Sequence, residues 1–166
     1  MRETWDANLT DQEIAVFEDQ KEAMYREFIA KNFPEMPGAT SLVKTLAAAG
    51  IPMAIGSSGP PLNVQAVVKH LNASDTIRTV ITGADVKVGK PNPEVFLLGA
   101  KGMGMAPERC IVLEDAPPGI EAALAAGMKC LGVVSRGRTQ PELHKAHAHV
   151  TDLTEVTYEL LAGLFE

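Results

Sequence analysis

Short apolar runs alternate with helix-like segments along most of this chain, and that alternation restricts its fold more than any other feature. Ile51 to Ile55, Thr79 to Thr82, Cys110 to Leu113 and Lys129 to Val134 read as strands. Between them Pro61 to Leu71, Asn92 to Lys101 and Pro118 to Ala126 read as helices, the last closed by Gly127. A helix over Ser41 to Ala49 precedes the first strand and ends at Gly50, a residue free to take the left-handed turn that closes a helix. A weaker element follows His149, and Glu155 to Phe165 closes the chain as a helix. Strand and helix in alternation specify a parallel sheet with helices on both faces. The strands are apolar throughout, which fits burial on both sides.

The first segment has a different texture. Thr10-Asp11-Gln12-Glu13 forms a capping box, in which the Thr10 hydroxyl accepts the Glu13 N–H and the Glu13 carboxylate reaches back. Ile14, Phe17, Met24 and Phe28 follow at helical spacing, interrupted by Lys21, and Pro34 and Pro37-Gly38 end the segment. The expected division is residues 1–36 and 37–166. No internal repeat or low-complexity stretch is visible.

Composition narrows the function classes. The chain has 166 residues, with 15 Lys and Arg against 21 Asp and Glu, for a net charge of −6. A nucleic-acid backbone calls for the opposite sign. No apolar run reaches membrane-spanning length. The polar, acidic start (MRETWDANLTDQE) resembles neither a signal nor a transit peptide. Cys110 and Cys130 lie in apolar runs and read as buried, reduced thiols. The expectation is a soluble cytoplasmic protein with no nucleic-acid or membrane partner.

Ligands of such sheets bind beyond the carboxyl ends of the strands, and three of those ends carry polar chemistry. Gly56-Ser57-Ser58-Gly59 leads from a strand into a helix. Its glycines allow close backbone approach, its hydroxyls donate, and a helix N-terminus favours an anion. The bland alternative is ordinary turn chemistry. In Gly89-Lys90-Pro91-Asn92-Pro93-Glu94, two prolines bracket a helix start and hold a lysine suited to phosphate, or else a solvated surface lysine. Glu114-Asp115 places adjacent carboxylates where a hard divalent cation such as Mg²⁺ would bind, or where acids merely favour a helix start. Hydroxyl turn, lysine and paired acids in that order suit phosphoryl transfer. His144, His147 and His149 could bind Zn²⁺ or Ni²⁺, but a solvated, idle cluster is the simpler reading. Asp85 reads as a turn cap, and Met24, Met36, Met103 and Met105 read as packing residues.

These stretches resemble the haloacid dehalogenase-like hydrolase superfamily, in particular its branch of phosphosugar mutases and small phosphatases. The resemblance runs from about Pro37 to the C-terminus. It is carried by Pro52–Gly59, Gly83–Phe96 and Val112–Met128. It implies a three-layer, Rossmann-like parallel sheet, with the helix from Thr10 as a remnant of the mobile helical cap. Ser57 would hold the transferring phosphoryl group, helped by backbone amides of Ser58 and Gly59. Lys90 would neutralise the phosphate. Asp115, with Glu114, would carry Mg²⁺, and the substrate would be a small phosphorylated metabolite.

The family's first motif, an apolar strand ending in Asp-x-Asp, has no counterpart. Trp5-Asp6-Ala7-Asn8 is the closest imitation, but it lacks the second acid and lies on a polar stretch. The expectation is a chain that begins inside the cap, without the nucleophile and its strand. Loss of a nucleophile can cost on the order of a million-fold in turnover. No base is expected beside Ser57 to activate its hydroxyl instead. Mg²⁺ binding should be weak or absent. The missing strand would lie centrally, between the strands before Ser57 and Glu114. Either those two strands pair directly or another segment fills the slot, because unpaired edge groups cost about 1–3 kcal/mol each when buried. Uncovered surface of this kind also points to a homodimer. Two readings remain open: an impaired phosphatase or phosphomutase relative, and a catalytically silent, self-associating interaction module.

Overall fold

A computed structural model describes residues 9–166. The Trp5-Asp6-Ala7-Asn8 stretch lies outside the described residues. The chain divides into two compact units, the first ending at Pro34 and the second running from Glu35 to Glu166. Among the described residues no helix is long and apolar enough to cross a membrane.

The first unit holds helix α1, Asp11–Lys31. Its capping box forms as expected: the Thr10 N–H donates to Glu13 Oε2 at 2.9 Å, and the Glu13 N–H donates to Thr10 Oγ1 at 3.3 Å. The apolar stripe does not behave as core. Met24 is 71% exposed and Phe28 59%, so the reading of Met24 as a packing residue is corrected; Ile29 is the buried residue of this helix.

The second unit alternates as the sequence implies. Helix α2 (Ala39–Ala48) leads to strand β1 (Ala54–Gly56), helix α3 (Pro61–His70), strand β2 (Thr79–Ile81) and helix α4 (Glu94–Met103). Strand β3 (Ile111–Glu114), helix α5 (Pro117–Ala125), strand β4 (Lys129–Val133), strand β5 (Ala148–Val150) and helix α6 (Tyr158–Gly163) complete it. β1 is shorter than the apolar run Ile51–Ile55 because Pro52 has no N–H for a ladder. α6 starts later than Glu155 because Leu153–Glu155 forms a 3-10 turn, and the Thr157 hydroxyl then caps the helix by accepting the Leu160 N–H at 3.1 Å. Met36, Met103 and Met105 do pack against the cores.

All strand pairs are parallel, but the sheet is split. β1 pairs with β2, and separately β3, β4 and β5 pair in that order. The expectation of direct β1–β3 pairing, or of a segment filling the slot, is therefore not met among the described residues. Helices hold the halves in place instead. Ile111 and Leu113 of β3 point to one face, where Leu42 of α2 joins their cluster, while Val43 of α2 joins the cluster of Ile55 in β1. On the other face α4 packs on β1 and β2 and also touches α5, which covers β3 and β4. Phe96 of α4 packs into the core around Val112, Ile120 and Cys130. Two helices thus straddle the slot, one on each face.

Candidate active site

The carboxyl ends of β1 and β3 meet at one lysine. Lys90 Nζ lies 3.3 Å from the Gly56 carbonyl oxygen at the end of β1, and 3.2 Å from Glu114 Oε1 at the end of β3. The Phe96 ring sits beneath it, 4.7 Å from Nζ to the ring centroid. Both members of the ion pair are largely buried, Lys90 with 12% and Glu114 with 14% of the side chain exposed. Burial pushes the Glu114 carboxyl up from its ordinary value and the Asp115 charge adds to this, while Lys90 pulls the other way. Glu114 also lies against Gly119 of α5, where an added Cβ would fall 1.7 Å from Oε1 and 2.4 Å from Cγ.

The hydroxyl turn is built from its own backbone. The Ser57 N–H donates to Ile81 O at 2.9 Å, one step beyond the β1–β2 ladder. Ser57 Oγ accepts the Gly59 N–H at 3.0 Å, so that amide is engaged within the turn. Gly59 O in turn accepts the Gly83 N–H at 3.2 Å. A Cβ at Gly83 would stand 2.7 Å from Ser58 O, so only glycine lets the two loops approach this closely.

The loop before α4 is pinned from within. Glu94 Oε2 accepts the backbone N–H of Lys87 at 2.9 Å and of Val88 at 3.3 Å. The Glu94 N–H donates to Asn92 Oδ1 at 3.0 Å, and the Asn92 N–H to Gly89 O at 3.1 Å. The Lys90–Pro91 peptide is cis. Between this loop and the hydroxyl turn lies a cavity of about 190 Å³, lined by Ser57, Ser58, Lys87 and Lys90 together with Gly83, Val86, Gly89 and Val95. Among the described residues its lining contains cations and hydroxyls but no carboxylate.

Ser57, Ser58 and Lys90 therefore share one cavity, and Glu114 joins them through Lys90. Gly59 closes the turn rather than lining the cavity. Asp115 Oδ2 accepts the Ser135 hydroxyl at 2.8 Å. Sequence reasoning overlooked Ser135, although it is the first polar residue after β4 and so obeys the same strand-end rule. Phe96 and Gly119 lie within the resembling stretches but carried no signal of their role, because their contacts cross between elements.

Other candidates resolve into structural roles. Asp85 Oδ2 accepts the Thr82 N–H at 2.8 Å and its hydroxyl at 2.6 Å, a turn cap that lowers the Asp85 carboxyl. His147 Nδ1 accepts the Cys130 N–H at 3.1 Å, while His149 and His144 donate to the carbonyls of Leu143 and Pro141. Burial pushes the Cys130 thiol up to about 12, and both cysteines are free. Among the described residues no group of three His, Cys, Asp or Glu side chains is placed to hold a metal. Glu114 and Asp115 supply two carboxylates, which fits Mg²⁺ only as a partial set. Phosphate oxygens and waters would have to complete the six oxygen ligands that it prefers.

The family model described as haloacid dehalogenase-like hydrolase matches residues 1–127. Hexitol phosphatase A of Escherichia coli (strain K12) is 38% identical over 124 residues, covering 74% of this chain and 56% of that protein. Validoxylamine A 7'-phosphate phosphatase of Streptomyces hygroscopicus subsp. limoneus is 34% identical over 131 residues, covering 75% of this chain and 61% of that protein. The chain thus spans little more than half the length of these two relatives. The crystal structure of β-phosphoglucomutase from Clostridium difficile superposes with a TM-score of 0.83 at 27% identity, over 96% of this chain and 70% of that one. Matched over most of its length by the family model and by solved parallel α/β relatives, the chain belongs to the haloacid dehalogenase-like hydrolases.

Proposed function

We propose that this chain grips the phosphate of a small phosphorylated metabolite, that Asp115 and Glu114 hold Mg²⁺ only weakly, and that its hydrolytic turnover is impaired. The observation that carries the reading is the lining of the cavity. Lys87, Lys90, Ser57 and Ser58 line it and no acidic residue does among the described residues, while Glu114 is paired with Lys90. Such a site stabilises negative charge on transferring oxygens, but its lining offers no carboxylate among the described residues to attack phosphorus. Ser57 is a poor substitute, since its hydroxyl accepts the Gly59 N–H and no side-chain base is bonded to it among the described residues. The phosphatase names of the relatives support phosphate esters as the ligand class. Hydrolysis of an aryl phosphate with Mg²⁺ tests the reading. The wild-type chain, Lys90→Ala and Asp115→Asn should share one background rate. A wild-type rate that both substitutions abolish would instead establish a competent enzyme.

A second reading, a self-associating interaction module, is favoured by the exposed Met24 and Phe28 on α1 and by the unfilled slot between β1 and β3. It predicts a homodimer whose mass in sedimentation rises with concentration and reverts to the monomer in Met24→Glu/Phe28→Glu. A monomeric mass at every concentration would reject it.

A further inference from the structure

Lys87 and Lys90 line the same cavity in different electrostatic states. The Lys90 ammonium is neutralised by Glu114 at 3.2 Å and buried beside it. Lys87 is exposed, and its ammonium has no ion-pair partner among the described residues. Of the two lysines that line the cavity, Lys87 is therefore the one without an ion pair among the described residues. Its backbone is fixed as well. The Glu94 carboxylate holds the N–H groups of Lys87 and Val88, and Asn92 ties the same loop through Gly89. A cation held at a cavity rim by its backbone, with its charge unmet, is suited to a second anion.

Resting on the phosphate-pocket reading above, we propose that Lys87 is a specificity-determining residue: it meets a second anionic group on the ligand. The ligand class is then a bis-anionic phosphate ester, carrying a second phosphate or a carboxylate, rather than a phosphate ester of an uncharged alcohol. The roles of the two lysines separate. Lys90, deep and paired, orders the end of β1 against the end of β3 beside the hydroxyl turn. Lys87, at the rim, discriminates between ligands by charge.

Calorimetric titration of the whole chain with orthophosphate and with pyrophosphate, both free of divalent metal, tests this. The wild-type protein should prefer pyrophosphate by about tenfold, the scale of one added charge-assisted contact. Lys87→Met should erase the preference by weakening pyrophosphate binding about tenfold more than orthophosphate binding, and Lys87→Arg should retain it. Lys101→Met, a charge removed from the exposed side of α4, should behave as wild type. A preference that survives in Lys87→Met, is absent from the wild type, or falls equally in Lys101→Met would overturn the proposal. Failure of the wild type to bind either anion would instead bring down the pocket reading on which it rests.

Discussion

Gly119 sits in a helix, where alanine ordinarily adds about 0.5–1 kcal/mol of stability. Here the sign should invert. The new Cβ would overlap Glu114 from Cγ to Oε1, and a side chain so buried has little room to move aside. Gly119→Ala is expected to lose about 1–3 kcal/mol in denaturant titration, as overpacked sites do, and to loosen the Lys90–Glu114 pair. Lys90→Met removes the pair from the other side and leaves a buried carboxylate alone. The cost should be about 1–3 kcal/mol at pH 8. Because burial raises the Glu114 carboxyl, the folded state binds its proton more tightly than the unfolded chain does. The stability deficit of Lys90→Met should therefore shrink as pH falls and Glu114 becomes neutral. A deficit that is flat across pH, measured by urea titration, would mean that Glu114 is not the group left unpaired.

At the level of elements, local chemistry was legible and pairing was not. The Thr10 capping box, the Gly50 stop and the strand-to-helix turn at Ser57 were readable because each depends on neighbours within a few residues. Thr10→Ala should accordingly reduce α1 helicity, at a cost of about 1 kcal/mol, seen in amide exchange over Asp11–Phe17. The apolar stripe of α1 was misjudged at Met24, because periodicity reports an amphipathic face but not what covers it. A contact distant in sequence was equally invisible: Glu35, which accepts the Thr40 N–H at 2.8 Å, also meets His70 Nε2 at 2.8 Å, tying the start of α2 to the end of α3. Hydrogen bonding to Thr40, then to His70, holds the Glu35 carboxyl down at about 2, from its ordinary 4.5. A depressed folded pKa contributes stability above the unfolded value, and that stability is lost as pH falls from 4.5 towards 2. Glu35→Gln should flatten that part of the acid-denaturation curve. An unchanged acid limb would place the pH dependence elsewhere.

At the scale of the whole molecule, the strand–helix alternation specified a parallel α/β fold, and the strand-end rule drew attention to Ser57, Lys90 and Glu114. What it could not convey was the split between β1 and β3. Strand identity is local, but strand adjacency is set by helices such as α2 and α4 that reach across both halves. Nor could it separate the two lysines, since only the fold shows that Lys90 is answered by Glu114 and Lys87 is not. The account turns on one claim, that the cavity between the Ser57 turn and the Lys90 loop is built for phosphate. Titration of inorganic phosphate followed by amide chemical shifts tests it most directly. Saturable shifts should cluster at Ser57, Ser58 and Lys87 to Lys90 and vanish in Lys90→Ala. Shifts that never saturate, or that gather on α1 or α6 instead, would contradict the claim.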